Sequence, residues 1–240
     1  MDRANVIADV ARYPWYHTID LGDGVVTPGV FDHRPVLDRY LLPESTAGLR
    51  CLDVGTMDGF WAFEMERRGS TDVVAVDIED PDALDWPPAQ RAKVTDKDLD
   101  RTKAERFAMV HGLRQSDVVR ELRSVYDLDT DLGHFDLVFC GDLLIHLKDP
   151  ITALERILAV CRGQAIIVTP VERLTRRRKR PIAEFDGIDH FRWWNLSEAA
   201  LARMLTAVGF RRVERGSTFE LPTTGGDGWR GLRAVMRATA

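Results

Sequence analysis

Cysteine is scarce in this 240-residue chain: Cys51, Cys140 and Cys161 are odd in number and form no C-x-x-C. That excludes a disulfide framework and a cysteine zinc site, so no metal is expected and a reducing compartment fits. Prolines number only 11, and no Gly/Ser or Pro linker, internal repeat or low-complexity tract divides the chain, which argues against disorder and against a solenoid. No apolar run approaches the roughly 18 residues that a membrane span needs. The opening MDRANVIADV carries two Asp and no apolar core, so a signal peptide is not expected and a cytoplasmic location is. A positive net charge is missing too. The 33 Lys plus Arg against 38 Asp plus Glu leave -5, against a surface built throughout for nucleic acid.

What is present, 45% hydrophobic and 30% charged residues, suits one domain with one substantial core and an N-terminal appendage. Charge is uneven. From Arg162 onward 15 basic residues face 8 acidic ones, whereas residues 1–161 carry 18 against 30; a basic half of this kind serves either as an anionic-ligand face or as solvated loops. The central pattern alternates. Leu49 to Val54 predicts a strand, FWAFEMERR a helix stopped by Gly69, and VVAVD at 73–77 a second buried strand, which together make a βαβ unit and a parallel sheet. Residues 78–103, charged and broken by Pro81, Pro87 and Pro88, read as mostly loop, and 104–123 as helix. FDLVFC at 135–140, Pro150 to Val160 and QAIIVTP at 164–170 continue as strand, helix and strand. A helix capped by Ser197 then ends at Gly209. FRRVERG and GLRAVMRA predict two strands at a sheet edge, joined by a turn around Gly225 and Gly226.

The stretch CLDVGTMDGF at 51–60 carries the chemistry. A strand ends in Asp53 and runs through Gly55 and Gly59 into a helix whose free N–H groups face whatever Gly55 lets approach. Asp77, 24 residues beyond Asp53, ends the next strand, where a carboxylate can accept both hydroxyls of a ribose. The G-x-G-x-x-G of a dinucleotide enzyme is absent. An acid beside the loop repels pyrophosphate and suits an ammonium or sulfonium ligand, so S-adenosylmethionine is favoured over NAD.

With these residues in place the chain resembles class I S-adenosylmethionine-dependent methyltransferases. WYHTIDLGDGVVTPG at 15–29, LDVGTMDGFWAFEMERRG at 52–69 and FDLVFCGDLLIHLKDP at 135–150 resemble more narrowly the tRNA wobble-uridine (mo5U34) methyltransferase family, over roughly residues 13–210. The resemblance implies an α/β, Rossmann-like fold: a seven-stranded, mostly parallel sheet with helices on both faces, here with an N-terminal lid over residues 1–45, a cofactor-binding domain over 46–240 and a substrate-side insertion at 171–195. It places Asp53, Gly55, Thr56, Met57 and Gly59 around the methionine part and sugar edge, Asp77 on the ribose, Ile78, Val125 and Tyr126 by the adenine, and Cys140, Gly141 and Asp142 beneath the sulfonium. Members that transfer a carboxymethyl group carry a tyrosine where this chain has Ile145 before His146. Ordinary S-adenosylmethionine, with S-adenosylhomocysteine as product, is therefore expected.

His146, after the fourth strand, is a candidate general base or else a structural cap of the next helix. Trp15, Tyr16 and His17 either form a lid or staple the N-terminus to the core; as a lid, Tyr16 contacts the cofactor and His17 joins His146 as a catalytic candidate. Arg34 is a candidate partner of the cofactor carboxylate and His33 a substrate contact. Asp189, His190, Trp193 and Trp194, in FDGIDHFRWWN, are further substrate candidates. RRRKR at 176–180, preceded by Arg173, is either a phosphate contact or a solvated loop. Three functions follow: methyl transfer to oxygen or nitrogen of a small biosynthetic acceptor, which is preferred; wobble-uridine methylation of tRNA, opposed by the overall acidity and short N-terminus; and a non-catalytic cofactor-binding module. No membrane partner is expected, and the sequence leaves the oligomeric state open.

Overall fold

A computed structural model describes residues 2–171, 180–224 and 231–240. Its main sheet comprises β1 (Arg50–Val54), β2 (Asp72–Asp77), β3 (Val119–Leu122), β4 (Phe135–Gly141), β5 (Cys161–Val171), β6 (Arg212–Arg215) and β7 (Leu232–Thr239). These lie in the order β6-β7-β5-β4-β1-β2-β3, with the short strand Phe219–Glu220 also pairing to β7. The pairings among β1 to β5 are parallel, and β7 runs antiparallel to both β5 and β6. β1 and β4 are adjacent although β2 and β3 intervene in sequence, so the sheet reverses its winding there, and ligands of open α/β sheets bind at such a reversal.

Side chains alternate across the sheet as the pleat requires. Leu52, Val54, Val138, Ala165 and Ile167 face one apolar core with α4 (Pro150–Val160) and α5 (Glu198–Val208). Cys51, Leu137, Phe139, Ile166 and Val168 face the other with α1 (Arg3–Val10), α2 (Phe60–Arg67) and α3 (Lys103–Arg114). The helix ends follow local chemistry. Asp149 accepts a hydrogen bond from the Thr152 N–H ahead of Pro150, Ser197 accepts one from Ala200 N–H, and Gly209 closes α5 at φ +115°.

Two expectations are corrected. The helix expected over 104–123 stops at Arg114, with Gln115 at φ 52°, and 119–122 is a parallel edge strand. Its exposed face lacks the continuous apolar run of a buried strand, so composition hid it. GLRAVMRA is not at the edge: β7 sits between β5 and β6, which is why nearly all of it is buried. The turn at Gly225 and Gly226 lies outside the described residues.

The N-terminal segment adds α1, a hairpin of Asp20–Gly22 with Val25–Val26, and a 3-10 stretch at Arg34–Tyr40. Trp15 is buried and its indole N–H donates to Val10 O, so this residue does staple the segment down. No helix among the described residues is long and apolar enough to cross a membrane.

Candidate active site

The C-terminal ends of β1, β2, β4 and β5 open into a cavity of about 360 Å³, and an adjoining one of about 110 Å³ shares Gly55, Asp77, Leu143, His146 and Phe191 with it. Gly55, at φ +77°, has only the Leu143 side chain over the place a Cβ would take. Met57 and Asp142 also stand in the left-handed region, at φ 52° and 55°. Two non-glycine residues held in a costly conformation on either side of one cavity mark it as a built site.

Asp77 ends β2 beside this loop. Its carboxylate accepts from the N–H groups of Met57 and Ile78, each at 2.8 Å, and pairs with the buried Lys103 ammonium, also at 2.8 Å. Asp53 is different. It lies behind the loop and accepts from the Thr56 hydroxyl and Ala62 N–H. Burial pushes its carboxyl up to about 7, although the Thr56 bond and His17 oppose the rise. Asp142 pairs with the buried Arg233 at 2.6 Å, while its Oδ1 is buried with no hydrogen-bond partner among the described residues. An orphaned carboxylate oxygen at the cavity rim fits a ligand that brings a donor or a positive charge.

Aromatic rings wall the cavity. Trp61 stacks on Phe139 at 4.2 Å, Tyr40 lies 4.4 Å from Trp61, and Trp86, Phe191 and His146 stack in sequence at 4.0 and 4.8 Å. His146 Nδ1 faces Phe191 O, a carbonyl that only accepts, so Nδ1 carries the hydrogen and Nε2 the lone pair. Burial lowers the His146 pKa, the Phe191 bond opposing it. His33 lies 2.6 Å from the Tyr40 hydroxyl, and burial, with His17 and Arg233 nearby, holds it well below the usual histidine range. Burial raises the phenols of Tyr16 and Tyr40 and the Cys140 thiol, which keeps all three protonated.

Of the residues expected from sequence, Tyr16, His17, His33, Gly55, Met57, Asp77, Gly141, Asp142 and His146 line the larger cavity, and Ile78, Val125 and Tyr126 the smaller. Thr56 and Asp53 support the loop from behind. Gly59 starts α2, packed against Phe63 and Phe107, and Cys140 lies in the core beneath the sheet. Five side chains are corrected. Arg34 does not reach the cavity, because it binds the Asp32 carboxylate through two nitrogens at 2.8 Å on the surface. Asp189 and His190 are exposed, in a turn held by Asp186. Trp193 and Trp194 turn away and donate to Asp85 O and Lys148 O, and Phe191 just before them faces the cavity instead. Residues 172–179, with Arg173 and most of RRRKR, lie outside the described residues.

Sequence reasoning missed Tyr40, Trp61, Trp86, Leu99, Lys103, Phe139 and Phe191, which also line the site. Trp86 sits in the proline-broken 78–103 stretch, where an isolated tryptophan was the available signal of a wall. Asp58 was missed because nothing local pairs it with His17, 41 residues away.

A family described as a methyltransferase domain matches residues 34–215. No curated protein sequence matches the chain. Among solved structures, EvdMO1 aligns with a TM-score of 0.64 at 18% identity over 100% of this chain and 48% of that one, so the chain spans about half the length of that protein. The N-terminal domain of EvdMO1, in the presence of SAH and D-fucose, aligns with a TM-score of 0.63 at 20% identity, covering 100% of this chain and 97% of that domain. An S-adenosylmethionine-dependent methyltransferase from Mesorhizobium loti gives 0.53 at 18% identity, over 87% and 97%. At these identities the likeness is one of fold. The sheet order, the glycine loop followed by an acid at the next strand end, and a family match over most of the chain converge: the chain belongs to the methyltransferase-domain family and has the fold of class I S-adenosylmethionine-dependent methyltransferases.

Proposed function

We propose that this enzyme methylates an oxygen or nitrogen of a small-molecule acceptor. The observation that carries the reading is the aromatic-walled cavity of about 360 Å³, continuous with a smaller apolar one beyond Asp77. A space of this size suits a compact acceptor beside the reactive part of the cofactor. The EvdMO1 domain was crystallised with SAH and D-fucose, and a small polyhydroxyl compound of that kind is a fitting first acceptor to try here.

The residues present fit S-adenosylmethionine. Asp77 would take the ribose hydroxyls, Gly55 and Met57 the sugar edge, Ile78, Val125 and Leu143 the adenine, and the free Asp142 Oδ1 the positive end. When bound, the cofactor supplies an electrophilic methyl group on a sulfonium. The protein's part is chiefly alignment and exclusion of water. Trp86, Phe191 and His146 form one wall, and Tyr16, His17 and His33, from the N-terminal segment, cover the other side as the lid.

The test is to incubate the protein with methyl-labelled S-adenosylmethionine and two acceptor pools, tRNA lacking the wobble modification and a small-metabolite extract. Label in the small-molecule fraction is expected. Label in tRNA would overturn this reading in favour of the wobble-uridine one, and label in neither, with SAH bound, would favour a non-catalytic module.

A further inference from the structure

Three histidines line the cavity, and only one has a carboxylate behind it. His17 Nδ1 is hydrogen-bonded to Asp58 Oδ1, while Asp58 Oδ2 accepts the backbone N–H groups of Tyr16 at 2.9 Å and His17 at 3.0 Å. Ring and carboxylate are thereby locked to one another by the segment that carries the ring. Asp58 is fully buried, and burial favours its neutral form; the charge and hydrogen bonds of His17, with Arg106 at 3.8 Å, outweigh this and hold its carboxyl below the usual range. An ionised Asp58 fixes the hydrogen on Nδ1 and leaves Nε2 as the lone-pair nitrogen. Among the described residues, other titratable groups around His17 include Asp53 behind the loop, His33 with its ring tilted 5.2 Å away, and the Tyr16 phenol.

We infer that His17 and Asp58 are the proton-accepting pair of the methyl transfer, His17 taking the proton of a hydroxyl on an uncharged ring and Asp58 acting as its positioning residue. The inference rests on the small-acceptor methyltransferase reading above. His146 and His33 are poorer bases, since their Nδ1 atoms meet a carbonyl and a hydroxyl, and burial disfavours their charged forms. The acceptor class follows from the cavity walls. Tyr16, Tyr40, Trp61, Phe139 and Val168 offer ring faces and apolar surface. Among the described residues the cations at hand, Lys103 and Arg233, are paired with Asp77 and Asp142, which weighs against a phosphate or carboxylate acceptor. A cationic amine would be repelled by the sulfonium.

The step balances. The hydroxyl proton passes to His17 Nε2 as the acceptor oxygen forms its bond to the methyl carbon. The sulfur–carbon bond breaks with its electron pair left on sulfur, giving the neutral thioether product, and His17 later returns the proton to water.

The test uses the full chain, labelled with 15N-histidine and saturated with SAH. Imidazole NMR is expected to show the His17 hydrogen on Nδ1 and the lone pair on Nε2, and this needs no variant. Asp58→Asn is expected to admit the other tautomer. With methyl-labelled S-adenosylmethionine and phenol as probe, Asp58→Asn and His17→Ala are expected to lose roughly 10²–10⁴-fold in kcat. Thiophenol, already ionised near neutral pH, should lose far less in either variant than phenol does. A His17 hydrogen on Nε2 in the wild type, or phenol turnover by Asp58→Asn within threefold of wild type, overturns the pair. Phenol refused by a wild type that methylates an amine overturns the acceptor class. Failure to bind SAH at all counts against the methyltransferase reading instead.

Discussion

The same substitution at two glycines of one loop separates fold from binding. Gly59 stands at φ +93°, and a Cβ there would lie 2.3 Å from Phe63 Cε2 and 2.8 and 2.9 Å from the Phe107 ring. Gly59→Ala therefore adds a left-handed alanine, about 1–2 kcal/mol, to overpacking of about 1–3 kcal/mol, for a total of about 2–5 kcal/mol. In a chain of this size each kcal/mol moves Tm by about 2–4 °C, so a fall of about 10 °C is expected. Gly55 stands at φ +77° with only the Leu143 side chain at 3.3 Å. Gly55→Ala should cost about 1–2 kcal/mol, a few degrees, since a flexible Leu can yield. The added methyl projects into the cavity, and SAH affinity should fall at least about tenfold, about 1.4 kcal/mol. Thermal melts and calorimetric SAH titrations read both effects. A Gly59→Ala protein melting within two or so degrees of wild type would refute the steric argument, and wild-type SAH affinity in Gly55→Ala would remove the loop from the binding site.

Asp77→Ala should both abolish SAH binding and destabilise the fold by about 3–5 kcal/mol, because it strands the buried Lys103 ammonium. Adding Lys103→Met should restore the melting temperature but not the binding, as melts and titrations of the double variant will show. Asp53, pushed up to about 7 by burial, keeps its proton in the folded protein where the unfolded chain has lost it. Stability should therefore fall as pH rises from about 4 to about 7. Asp53→Asn removes that dependence, so its melting advantage over wild type should grow across the window and then level off. Ser197→Ala removes the cap on Ala200 N–H and the acceptor for Ile182 N–H, at about 1–2 kcal/mol by denaturant unfolding.

Most of what depended on residues near one another in the chain was legible, the strand at 119–122 and the Arg34–Asp32 pair excepted. The β1–loop–α2 unit declares itself by an apolar strand, two glycines and a helical stripe; α4 declares itself by the run from Pro150, and α5 by Ser197 with Gly209. Asp77 was found because a fixed spacing carries it to a strand end. Each of these signals spans a few residues to one βαβ unit, the range over which φ/ψ preference, capping and periodicity act. Tertiary structure alone inserted β7 between β5 and β6, swung Trp193 and Trp194 away while presenting Phe191, and brought the 81–103 segment over the cavity. It also set His17 against Asp58 across 41 residues. Such pairings satisfy buried donors and acceptors and fill space between distant segments, so they are decided by which groups lose water together on folding.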